Sequence, residues 1–172
     1  MSIYTYTVPE YVPFRMTLPI YNEQNEVVFL LKKNRHRLLT QIAHWNFRGG
    51  MPFCYQVQTQ DQIPIYKIEC LFTGIRYKLL NGKTGEKLPI HQQRVQLLEK
   101  MQTVSIKGAV YSLERDPTDT GILRKGTETI ATVRNLDHIN TSLTNRIRIE
   151  ASDDQTAALA AVMYHTFIFF GA

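Results

Sequence analysis

Apolar side chains recur at every second position through much of residues 14–150, the period of strands with one buried face. "FCYQVQTQ" (53–60) and "IPIYKIEC" (63–70) show it most plainly, and "LLTQIAHWNF" (38–47) alternates loosely. "IRYKLLNGKTGEKLPI" (75–90) sets two apolar-and-basic arms around Asn81-Gly82 and Gly85, the residues a hairpin turn needs where φ is positive. "LPIYNEQNEVVFLL" (18–31) has the same plan around "NEQNE", and "VVFLLKK" reads as a strand that ends in basic residues. Further strands are expected in "TVSIKGAVYSLE" (103–114), "ILRKGTETIATVR" (122–134) and "NRIRIEA" (145–151). "QQRVQLLEKMQ" (92–102) suits a short helix or a twisted strand. Strands roughly every 8–12 residues with turns between them point to a sandwich or barrel, not to βαβ units.

One segment breaks the period. In "ASDDQTAALAAVMYHTFIFFGA" (151–172), Ser152 is the expected N-cap, with Asp153 and Asp154 in the first turn of a helix. Apolar residues then cover every side, so the helix must lie in lipid or be enclosed by protein. From Ala157 to Ala172 it would span about 24 Å, short of a hydrocarbon core of about 30 Å. His165 would sit mid-span, and no basic cluster immediately flanks the segment. The expectation is a core helix enclosed by the preceding strands.

Composition fits that picture: 44% hydrophobic and 20% charged residues are ordinary for a globular chain, and 172 residues suit one domain. The fold expected is mainly β: a closed antiparallel barrel of about 10–12 strands over residues 4–150, around a helix at about 152–170. "MSIYTYTVPEYVPFRM" has no basic stretch followed by an apolar run, so no cleaved signal peptide is expected and the location is read as cytoplasmic. Cys54 and Cys70 then read as reduced, packed thiols.

A barrel of many short strands closed around a hydrophobic C-terminal helix resembles the tubby C-terminal-like superfamily, which includes the LURP-one-related proteins and the phospholipid scramblases. The likeness is carried by "LPIYNEQNEVVFLLKK", "YKLLNGKTGEKLPI" and "IEASDDQTAALAAVMYHTFIFF", which resemble two of the family's hairpins and its closing strand and buried helix. Compact bacterial members are nearest in size. The chain has no sharp equivalent of the phosphoinositide-binding basic motif of eukaryotic tubby domains. It also lacks the cysteine-rich palmitoylation run and acidic calcium-binding segment of scramblases. The resemblance therefore implies a fold more than a function.

Motifs for catalysis are absent. The histidines at 36, 44, 91, 138 and 165 show no HxxxH or HExxH spacing, the two cysteines make no CxxC, and no GxSxG, GxGxxG or Walker loop occurs. No metal, cofactor or catalytic residue is expected. His44 with Cys54, and the interior His165, read as packing, and "DPTDTG" (116–121) as a solvated turn too poor in ligands for calcium.

The local feature that invites a function is "KKNRHR". Lys32, Lys33, Arg35 and Arg37 bring four formal positives into six residues, in a chain of net charge +5. These four are the expected contacts for anionic phospholipid headgroups, with Lys78, Lys83, Lys87, Arg124, Lys125, Arg146 and Arg148 as possible extensions. A solvated hairpin end that guards an edge strand is the plainer reading of the same residues. Nucleic acid ranks below lipid, because neither a helix-turn-helix nor an RNP-like motif occurs. The leading expectation is a non-catalytic module, peripheral at the inner membrane face. The alternatives are a protein-interaction module without a lipid role, and an enzyme or small-molecule carrier with a site at the barrel end near His44, His91 or His138.

Overall fold

The computed structural model describes residues 1–9, 16–35, 53–70, 76–94, 100–137 and 144–169. Among these, twelve antiparallel strands close into one barrel. They are β1 (Ser2–Pro9), β2 (Met16–Tyr21), β3 (Val27–Arg35), β4 (Phe53–Gln58), β5 (Pro64–Cys70) and β6 (Tyr77–Asn81). The second half comprises β7 (Lys87–Arg94), β8 (Lys100–Ile106), β9 (Ala109–Arg115), β10 (Gly121–Lys125), β11 (Glu128–Asn135) and β12 (Thr144–Ala151). From β2 to β12, neighbours in sequence are neighbours in space. β1 closes the ring, pairing with β12 from Ser2 opposite Ala151 to Pro9 opposite Thr144, and with β2 at Thr5 opposite Tyr21. Among the described residues the ring is closed, so the sheet has no outermost strand.

Alternation sorts the two faces of the wall. Tyr4, Tyr6, Val8, Leu18, Ile20, Ile147 and Ile149 are buried, whereas the intervening Thr5, Thr7 and Arg146 are exposed. The turns follow from local chemistry. The Asn22 side-chain oxygen accepts from the N–H of Gln24 (3.0 Å) and Glu26 (2.9 Å), and Asn25 takes φ 61°. Asp116 repeats the arrangement, accepting from Thr118 (2.8 Å) and Thr120 (2.9 Å), with Asp119 at φ 61°. Burial raises the Asp116 pKa, but these hydrogen bonds outweigh it and the net shift is downward. "TVSIKGAVYSLE" and "ILRKGTETIATVR" each prove to be a hairpin of two strands. Lys107 and Gly108 turn the first at φ 50° and 79°, and Gly126 lies in the second turn at φ 60°. "LLTQIAHWNF" lies outside the described residues, as does the middle of "QQRVQLLEKMQ", whose ends belong to β7 and β8.

The closing helix, α1 (Asp154–Tyr164), continues into a π-helical turn at His165–Phe169. Its N-cap is Asp153, one residue beyond the expected Ser152. Asp153 is extended, and its carboxylate accepts from the Thr156 N–H (2.9 Å) and hydroxyl (2.8 Å). A carboxylate at this position also meets the positive end of the helix dipole, so Ser152 instead donates its hydroxyl to Asp153 at 2.9 Å. Residues Ala157 to Ile168 are all buried, which makes the apolar tail the post inside the barrel. No helix among the described residues is long and apolar enough to cross a membrane.

Post and wall meet closely at Gly121 on β10, where a Cβ would lie 2.6 Å from Tyr164 Cδ2 and 3.2 Å from Ile168 Cδ1. Gly121→Val is expected to force those side chains aside and to lower stability by about 1–3 kcal/mol, as overpacking does. Chemical denaturation at matched m-values checks it; an unchanged midpoint would mean that the helix end is loosely seated.

Candidate functional site

The alternation that builds the wall divides the basic segment. Phe29, Leu31 and Lys33 of β3 are buried, so the side chain of Lys32 points out and that of Lys33 points in. Lys33 is only 5% exposed, opposite Met16 on β2 and Tyr55 on β4, and burial holds its ammonium below the usual lysine pKa. It is withdrawn from any outer surface. Arg35 ends β3, with its backbone opposite Phe53. Its side chain, and all of Arg37, lie outside the described residues. Of the four expected contacts, Lys32 is the one whose side chain is placed outward on the described surface.

The barrel supplies Lys32 with other neighbours. Registers run from Lys32 to Gln56 on β4, Gln56 to Lys67 on β5, Lys67 to Leu80 on β6, and Leu80 to Lys87 on β7. Lys78 lies on the same outer face of β6, opposite Glu69 and Pro89. Glu69 is the single carboxylate among the described residues of β3–β7. It accepts from Lys67 Nζ at 2.6 Å and forms a longer ion pair with Lys78 Nζ at 3.7 Å. Four lysines therefore share one wall with one acid. Lys67 and Glu69 carried a sequence signal that went unused: each sits between inward residues of the alternating "IPIYKIEC".

The opposite wall is also rich in cations, but they are matched. Arg124 faces Glu114 (3.4 Å), Arg146 faces Asp137 (3.5 Å), Arg148 faces Glu150 (3.0 Å), and Arg134 helps to hold the Asp116 carboxyl low. Lys83 lies in the exposed turn between β6 and β7, and Lys125 is the exposed last residue of β10.

Inside the barrel, Lys33 and three aromatic rings surround His165. The imidazole is fully buried, with the Tyr6 hydroxyl 3.5 Å from Nδ1, Tyr55 edge-on at 4.7 Å and Phe169 stacked at 5.2 Å. Burial first, and the Lys33 charge second, press its pKa down to about 3, so His165 is neutral at physiological pH. Burial likewise raises the phenols of Tyr6 and Tyr55 well above their ordinary value. His165, Tyr6 and Tyr55 are buried, while Phe169 is partly exposed at the end of the post.

Neither barrel end assembles a reactive set among the described residues. A depression of about 360 Å³ beside the helix C-terminus is lined by Arg115, Asp119, Asn135, Asp137 and Tyr164. Its charges are already consumed: Arg115 Nε donates to Asp119 at 2.7 Å, and Asp137 accepts from the Arg146 N–H at 2.8 Å. His91 is exposed on the outer side of β7, while His44 and His138 lie outside the described residues. Cys54 and Cys70 are buried, and burial raises the Cys54 pKa. No cluster of three metal-ligating side chains occurs among the described residues.

A family model, that of the Tubby C-terminal like domain, matches residues 4–170. No curated protein and no solved structure matches the chain.

Proposed function

We propose that this chain, which belongs to the Tubby C-terminal like domain family, is a non-catalytic binding module for anionic lipid headgroups at the inner membrane surface. One observation carries the reading: Lys32, Lys67, Lys78 and Lys87 share the outer face of β3–β7 with a single carboxylate. Near an anionic leaflet each lysine contributes about 1 kcal/mol, so four lysines offset by Glu69 give roughly 3 kcal/mol. That is weak, reversible and salt-sensitive attachment, suited to a peripheral protein. The enclosed helix takes no part, because its apolar surface is spent on the barrel wall.

Co-sedimentation with vesicles of mixed anionic and neutral lipid tests the reading. Lys32/Lys67/Lys78/Lys87→Ala should bind roughly 100-fold more weakly than wild type, whereas Lys33→Met should bind as wild type does. Equal binding by wild type and the fourfold variant, or binding by neither, sinks the proposal. Recovery of one stoichiometric protein partner, indifferent to lipid and to the four substitutions, would favour a protein-interaction role instead.

A further inference from the structure

The arrangement of the lysines, beyond their number, constrains what they can recognise. Lys32, Lys67 and Lys87 occupy one lateral row, with a lysine at every second strand. At about 4.8 Å per strand, their Cα atoms stand roughly 10 Å apart. In a twelve-strand barrel, two strands subtend about 60°, so the three side chains diverge outward. A pocket for one headgroup needs the opposite geometry, with several donors converging on the oxygens of one phosphate. The row is also built of lysines, which act as point charges on flexible stems and lack the planar fork that reads phosphate geometry.

We propose that this face responds to the density of negative charge in a fluid bilayer and not to the identity of a headgroup, each lysine meeting a different lipid. This rests on the lipid reading above and adds the ligand class: any anionic bilayer of sufficient charge. Glu69 sets the threshold. It already holds Lys67 and Lys78, so lipid phosphates must draw both lysines off the carboxylate before the face is fully engaged. A sparse anionic surface cannot outcompete an acid 2.6 Å from its lysine, while a dense one can.

The test uses the full chain with vesicles of phosphatidylcholine containing phosphatidylserine, phosphatidylglycerol or a phosphoinositide, adjusted to equal surface potential. Binding should fall on one curve for all three when plotted against surface charge, and rising salt should suppress all three alike. Glu69→Gln, with folding verified by circular dichroism, should bind about two- to fivefold more tightly, the range expected for release of an exposed ion pair. A headgroup bound tenfold better than the others at matched charge overturns charge-density recognition while leaving the lipid reading intact. Glu69→Gln binding identical to wild type overturns the threshold role. Tighter binding to free polyphosphate than to vesicles at equal anion concentration overturns the bilayer as occupant. Failure on every vesicle removes the lipid reading itself.

Discussion

Ala160→Arg is expected to leave no folded protein. Ala160 is 0% exposed in the middle of α1, with apolar neighbours on every side of the helix. A guanidinium placed there would lie within the buried apolar cluster of the described residues. An unpaired buried charge costs several kcal/mol, and the added volume strains a core that closes tightly enough to need a glycine at position 121. Against a total stability of about 5–15 kcal/mol, that combination removes the native state. Ala160→Gly supplies the control, since it empties a methyl group and weakens the helix by about 1 kcal/mol without adding charge. Circular dichroism and size-exclusion chromatography should show a folded glycine variant and an unfolded or aggregated arginine variant. A folded, monodisperse Ala160→Arg protein would mean that the helix is not enclosed.

The enclosed helix was the most legible element of the sequence. Its acidic start, alanine-rich first half and all-round apolar surface leave few alternatives once the rest of the chain reads as strands. The cap slipped by one residue because Ser152 and Asp153 both suit the position, and the carboxylate makes the stronger, charge-assisted bonds. Where alternation was clean, as in "YKIEC" (66–70), the sequence also assigned inside and outside, although Ile63 just before it is apolar and exposed. In "VVFLLKK" the apolar run masked the parity. Val28 and Leu30 are apolar yet only partly buried, so nothing local reveals that Lys32 faces out and Lys33 faces in. The lysine wall was hidden for a different reason. Its members come from β3, β5, β6 and β7, and meet only through four successive registers that depend on turn lengths and bulges. A charge cluster read along the chain and one read across a sheet are different objects. In this protein the second has the better geometry for an anionic surface.

The second large effect concerns acid. Folded His165 accepts a proton only near pH 3, whereas in the unfolded chain it does so near 6.5. Below 6.5 the unfolded state therefore binds a proton that the folded state refuses, and stability falls as pH falls. The slope approaches about 1.4 kcal/mol per pH unit, and the loss between pH 6.5 and 4.5 is roughly 2 kcal/mol. Asp116 and Asp153, whose folded pKa values are lowered, act in the same direction but at lower pH. Their contribution is present above about 3.8 and is lost as pH falls below it, so these two carboxylates act below the window that ends at 4.5. His165→Phe places a neutral ring between Tyr55 and Phe169 and removes the proton acceptor. Thermal melts of wild type should drop by roughly 5–10 °C across that window, while those of the variant should change much less. If both proteins show the same dependence, the acid sensitivity resides elsewhere and His165 titrates near its ordinary pKa in the folded state. Because His165 lies inside the barrel and the lysine wall outside it, vesicle binding measured well below the melting temperature should not follow this titration.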